Sequence, residues 1–135
     1  MNIAIISHDN IKHQMLSFTN NNKDFFINEK IKIFATKNTG SILINSGFSN
    51  IQLLKSGPLG GDAQIASMIV DGKIDSVFFF IDPLHAHVHD VDIYMLLRIC
   101  NVYNVPLATN LASASLIIDS LVIKYSLNLL TETIK

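Results

Sequence analysis

The sequence predicts an α/β fold: one domain, residues 1–135, with a five-stranded, mostly parallel sheet. Two patterns lead there. Five short β-type runs are apolar without alternation, as strands buried on both faces are. Helical stripes lie between them, so strand and helix take turns along the chain. Size agrees: 135 residues, 49% hydrophobic and only 16% charged, suffice for one real core and leave no stretch that reads as a linker.

The first strand is Ile3–Ile6, and Asp9 is a candidate N-cap for a helix with the stripe Ile11, Met15, Leu16 and Phe18. Ile31–Ala35 is the second strand; the helix after it carries Ile42 and Leu43 and stops near Gly47. Ile51–Leu54 is the third, followed by a helix with Ile65, Met68 and Ile69 that ends at Gly72. Val77–Ile81 is the fourth, and the strongest stripe, Ile93, Leu96, Leu97 and Cys100, follows it. Pro106–Ala108 makes a short fifth strand and Ala112–Ile118 a short last helix.

A net charge of −1, with Lys and Arg scattered, argues against nucleic acid as a partner. The N-terminus carries no basic leader, and the longest apolar run, SVFFFI, is far short of the roughly twenty residues a bilayer span needs. The expected address is therefore the cytoplasm, without membrane contact. Cys100, the single cysteine, leaves no internal disulfide and reads as a core thiol in a reducing compartment.

Parallel α/β sheets bind ligands beyond the carboxyl ends of their strands. Here the segments at those ends are SHDNIK, TKNTG, SGPLGGD, DPLHAHVHD and TN, which hold most of the unusual residues. His8 closes the first strand, and Lys12 lies one turn on, where a helix N-terminus already favours anions. Thr36 to Gly40 offers two hydroxyls and a run of backbone donors suited to phosphate oxygens. In Ser56 to Asp62 the glycines let backbone N–H groups crowd a ligand, and Pro58 stiffens the turn. Asp62 opens the next helix and is read as an N-cap, as an acid facing substrate, or as both, one oxygen each. His85, His87 and His89 alternate and could share a face around a metal, but Pro83 and the strand end argue against an extended segment. The expectation is one catalytic histidine among solvated neighbours and no metal.

Together, SHDNIK, ATKNTG, SGPLGGDAQI, GKID, FFFIDPL, HDVD and LLRICNVYNVPLATN resemble the methylglyoxal synthase family over nearly the whole chain. The resemblance implies a single doubly wound α/β domain with helices on both faces of its sheet, and a homohexamer without metal or organic cofactor. It also implies a lyase that converts dihydroxyacetone phosphate to methylglyoxal and inorganic phosphate, the latter also a competing ligand. It puts Asp62 on the catalytic base and His89 on the catalytic histidine. His8, Lys12, Thr36, Thr39, Ser56 and Gly57 fall on substrate contacts, with Lys37 and Asn38 completing the loop between the threonines. Asp82 and Asp92 match acids that orient the site, whereas His85 and His87 match no family position. The chain departs from the family at Lys37 and Asn38, where glycine and threonine are usual, and at Val88, where proline commonly precedes the histidine. The rival reading is a non-catalytic, effector-binding regulatory domain like that of carbamoyl phosphate synthetases, which has no need of both Asp62 and His89.

Overall fold

Strands β1 (Asn2–Ser7), β2 (Lys32–Ala35), β3 (Ile51–Leu53), β4 (Ser76–Phe80) and β5 (Leu107–Ala108) form one sheet in the order β3-β2-β1-β4-β5. Every pairing in it is parallel. The computed structural model describes residues 1–134. The helices are α1 (Lys12–Asn21), α2 (Lys23–Phe26), α3 (Lys37–Asn45), α4 (Gly61–Val70), α5 (Asp90–Val102) and α6 (Leu111–Ile134). The chain walks outward from β1 to β3, then returns to the middle and lays β4 beside β1. The crevice beyond the ends of β1 and β4 is thus the topological switch point, where such sheets take ligands.

Side chains along a strand alternate between faces, and the two cores follow that alternation. Ile3, Ile5, Phe78 and Phe80 pack with Met15 and Phe18 of α1, Phe25 and Phe26 of α2, Leu43 of α3 and Ile118 of α6. Ala4, Ile6, Val77 and Phe79 pack on the other face with Ile65 and Ile69 of α4 and Ile93, Leu96 and Cys100 of α5. At about 25 cal/mol per Å² of buried apolar area, side chains like these dominate the stability of the fold. Burial in the second core pushes the Cys100 thiol up to about 11.

All five strands lie within one residue of their expected bounds at either end. Two local expectations fail, and one short helix was not anticipated. Asp9 caps nothing: it lies in a 3-10 turn, Asp9–Ile11, and its carboxylate pairs with Lys12. The short helix α2 was not legible, although its two phenylalanines are buried. The last helix does not stop at Ile118; α6 runs 24 residues and, by length and composition alone, is apolar enough to cross a membrane, contrary to the expectation drawn from SVFFFI. Its inner stripe, Ala114, Ile118 and Leu121, is part of the core. Farther along, the Tyr125 hydroxyl donates to Asn28 Oδ1 at 2.7 Å, and Lys30 pairs with Glu132 at 3.0 Å.

Candidate active site

His8 follows β1, and its N–H donates to the Phe80 carbonyl at 3.0 Å, which ties the ends of β1 and β4 together. A cavity of about 600 Å³ opens there. Of the residues singled out in the sequence, His8, Lys12, Thr36, Asn38, Thr39, Ser56, Gly57 and His89 line it. Lys37 is exposed outside its wall, and Asp62, Asp82 and Asp92 do not line it.

One wall suits an anion. Thr39 Oγ1 accepts the Ser7 N–H at 3.1 Å and the Thr36 hydroxyl at 3.3 Å, which bolts the first turn of α3 to the end of β1. That turn's N–H groups have no partner within the helix. Lys12 Nζ donates to the Ser7 carbonyl at 3.0 Å and adds a full positive charge at the same rim.

The SGPLGGD corner forms the adjoining wall, with Gly61 packed against Thr36. The Ser56 carbonyl accepts N–H groups from Leu59 at 3.0 Å and Gly61 at 2.9 Å, and the tight turn puts Gly60 at φ +108°, a conformation glycine adopts without strain. Gly57 is needed for space. A Cβ there would lie 2.9 Å from His89 Cε1 and 3.2 Å from Asp62 Oδ2.

Behind this corner Asp62 is fully buried in the first turn of α4. It is not an N-cap; Gly60 holds that position. Its Oδ2 lies 2.6 Å from His89 Nδ1, and its Oδ1 has no partner. Burial raises its pKa above the ordinary carboxylate range, the His89 contact works against that, and Asp92 adds to it. His89 precedes α5, buried but edging the cavity. With Asp62 ionised, His89 Nδ1–H donates to it and Nε2 presents a lone pair.

His8 is fixed the other way. Its Nδ1 accepts the backbone N–H of Asp82 at 2.9 Å, so the neutral ring carries its proton on Nε2, which is buried without a partner. Burial, with His87 and His89 nearby, pushes its pKa down to about 4. The Asp82 carboxylate is held at about 2 by Asn10 and by the Leu84 N–H, with the His85 ring also bonded to it. It is thus the backbone of Asp82, not its acid, that orients His8.

The profile of the MGS-like domain family matches residues 15–109. The methylglyoxal synthase of Acholeplasma laidlawii is 49% identical over 121 residues, covering 90% of this chain and 98% of that protein. The chain belongs to the methylglyoxal synthase family. The methylglyoxal synthase of Clostridioides difficile is 46% identical over 90% of this chain and 87% of its own. The crystal structure of the Elizabethkingia anophelis methylglyoxal synthase superimposes with a TM-score of 0.79 at 35% identity, covering 86% of this chain and 75% of that one.

The HAHVH loop brings two further histidines to the site. His87 is not a solvated neighbour: it is half-buried and stacks on His8 with ring centres 3.6 Å apart at 20°. His85 stays exposed, with Nδ1 2.7 Å from Asp82 Oδ2. His85 and His87, weighed in the sequence only as metal-binding or solvated neighbours, both line the cavity, as does Asn10, which sequence reasoning missed. The alternation of His85, His87 and His89 was the available signal. One ring nitrogen from each of His8, His87 and His89 falls within 4.8 Å of the others, which invites a metal. The Asp82 N–H argues against it, because a ring that accepts at Nδ1 has a proton, not a lone pair, on Nε2.

Proposed function

We propose that this chain converts dihydroxyacetone phosphate (glycerone phosphate) to methylglyoxal and inorganic phosphate. The observation that carries the reading is the buried Asp62–His89 pair, 2.6 Å apart, at the edge of a cavity lined also by Lys12, Thr36 and Thr39. A proton on carbon beside a carbonyl needs a base near its working pH, and burial moves Asp62 in that direction. Asp62 takes the proton to give an enediolate, and the Nε2–H of His8 donates to its oxygen. Elimination is fast when the C–O bond to phosphate stands perpendicular to the enediolate plane, where its electrons overlap the π system. The α3 wall and Lys12 hold the phosphate in that position and stabilise it as it leaves with the bond's electron pair. The enol left behind takes a proton on carbon and becomes methylglyoxal. An effector-binding domain would use the same wall but has no use for a carboxylate that burial makes hard to ionise.

One observation favours a second assignment of the base. Asp62 lies behind His89, and His89 Nε2 edges the cavity, so His89 can take the carbon proton while Asp62 holds the ring. Inorganic phosphate, as product, competes for the α3 wall. The family resemblance extends the proposal to a cytoplasmic homohexamer that works without metal or organic cofactor.

The test is a dicarbonyl assay beside NMR detection of solvent deuterium in the substrate, on the unaltered chain and on His89→Asn. Dicarbonyl formation is expected from the unaltered chain, and its absence overturns the function. In His89→Asn, exchange that persists while elimination falls by orders of magnitude assigns the base to Asp62. Loss of both assigns it to His89.

A further inference from the structure

The outer face of α6 is an exposed apolar seam. At about 100° per residue, the inward side chains Ala114, Ile118, Leu121 and Tyr125 fall on one side of the helix, and Leu116, Ile123, Leu127, Leu130 and Ile134 on the opposite one. Those five are between 58 and 86% exposed. With Ser120 they make a heptad pattern: Ser120, Leu127 and Ile134 at a, and Leu116, Ile123 and Leu130 at d. A contiguous apolar patch of this kind marks contact with another molecule.

The geometry points to a second copy of this chain as that molecule, its α6 lying parallel and in register, a against a and d against d. Charge complementarity selects both the partner and the direction. Asp119 sits at g and Lys124 at the e position five residues on, the two positions that meet across a parallel two-stranded seam. A symmetric pair therefore forms the Asp119–Lys124 contact twice. Both side chains are exposed, and neither joins an ion pair among the described residues. A lipid surface would match the leucines but gives Asp119 nothing. The seam is only about two and a half heptads long, too short to hold isolated helices together. Here each helix is already braced by its own domain through Tyr125–Asn28 and Lys30–Glu132, so the pairing does not have to order it. The contact is independent of the reaction proposed above.

Cysteine cross-linking of the full chain tests it, with the unaltered chain as blank because Cys100 is buried. Ser120→Cys is expected to form a covalent dimer under mild oxidation, whereas Ser115→Cys, on the flank of the helix, is not. In the Ser120→Cys background, Asp119→Lys should slow cross-linking at least fivefold, and adding Lys124→Asp should restore it by rebuilding both pairs. Ile123→Glu should abolish cross-linking while circular dichroism shows an unchanged melt. Equal cross-linking at the two cysteine positions, or no recovery on charge exchange, overturns the proposal. So does a monomeric Ser120→Cys chain that sediments with anionic phospholipid vesicles.

Discussion

His8 and His89 stand at the same cavity with ring centres 5.5 Å apart, yet the fold gives them opposite hydrogen-bonding states. His8 is held by a backbone N–H, a donor that cannot give up its proton, so the ring is locked with Nε2 protonated and presents a hydrogen-bond donor. His89 is held by a carboxylate, a partner that exchanges protons, so its Nε2 can present a lone pair or a proton as the charge on Asp62 changes. The lesson concerns partners rather than residue type. The same imidazole becomes a fixed donor or a movable proton according to whether an amide or an acid faces its other nitrogen.

Breaking the mobile half should have the largest effect. Asp62→Asn keeps the shape and can still accept from His89, but it cannot take a proton, and a fall in kcat of about 10³-fold or more, roughly 4 kcal/mol, is expected. The folded pKa of Asp62 is raised, so its ionisation works against folding as pH rises through that value. Asp62→Asn should therefore melt no lower than the unaltered chain at pH 7. The same shift sets the acid limb of kcat/KM above the ordinary carboxylate range, and activity should rise with pH through it. A variant within about tenfold of the original activity would remove Asp62 from the proton transfer.

The fixed half should be less sensitive and more easily rescued. His8→Ala removes one preorganised donor and should cost about 10²-fold in kcat, whereas His8→Gln, which can return an N–H near the position of Nε2, should recover most of it. If glutamine is as damaging as alanine, His8 does more than donate. Stability carries a second signature. Free histidine binds a proton near 6.5 and folded His8 only near 4, so the unfolded chain takes up more protons as pH falls between those values. Stability conferred by keeping His8 neutral is present above pH 6.5 and lost on the way down to 4. The loss is up to about 3 kcal/mol, less what water at the cavity mouth screens. Urea unfolding at pH 7 and pH 4.5 should show that slope in the unaltered chain and a shallower one in His8→Gln.

The smallest expected effect is at the loop. His87→Ala removes the ring stacked on His8 and should raise KM about three- to tenfold with kcat little changed, and His87→Phe should restore part of the loss by restoring the stack. His85→Ala, on an exposed side chain, should change neither by more than about twofold. Equal losses at the two positions would mean that the stack contributes nothing.

The comparison also separates what was legible in the sequence from what was not. Runs such as SVFFF announce strands because burial on both faces allows no polar interruption, and all five strands were placed from that signal. Asp62 and His89 were legible only through the resemblance of SGPLGGD and HDVD to the family's motifs; on its own Asp62 read equally well as an N-cap, and the residues alone did not say which histidine of HAHVH to choose. Their partners were not. The Asp82 N–H that fixes His8 belongs to the backbone and leaves no trace in residue identity. The stacking of His87 on His8 joins positions 79 residues apart. The true length of α6 was hidden because both its faces are apolar, which erases the 3.6-residue rhythm that a one-sided helix shows. For the same reason its outer seam escaped notice.

The sealed sulfur of Cys100 has a consequence for the lifetime of the catalyst. Methylglyoxal is a dicarbonyl electrophile that adds to thiolates, guanidinium groups and free amines, so the molecule that makes it is the target nearest to it. The chain contains one cysteine and one arginine. Cys100 is 1% exposed and stays a thiol until about pH 11, out of reach and in its unreactive form. Lys12, the one amine among the residues lining the cavity, is engaged with the Ser7 carbonyl and Asp9. A core position chosen for packing thus also spares the chain's one thiol from alkylation by its own product.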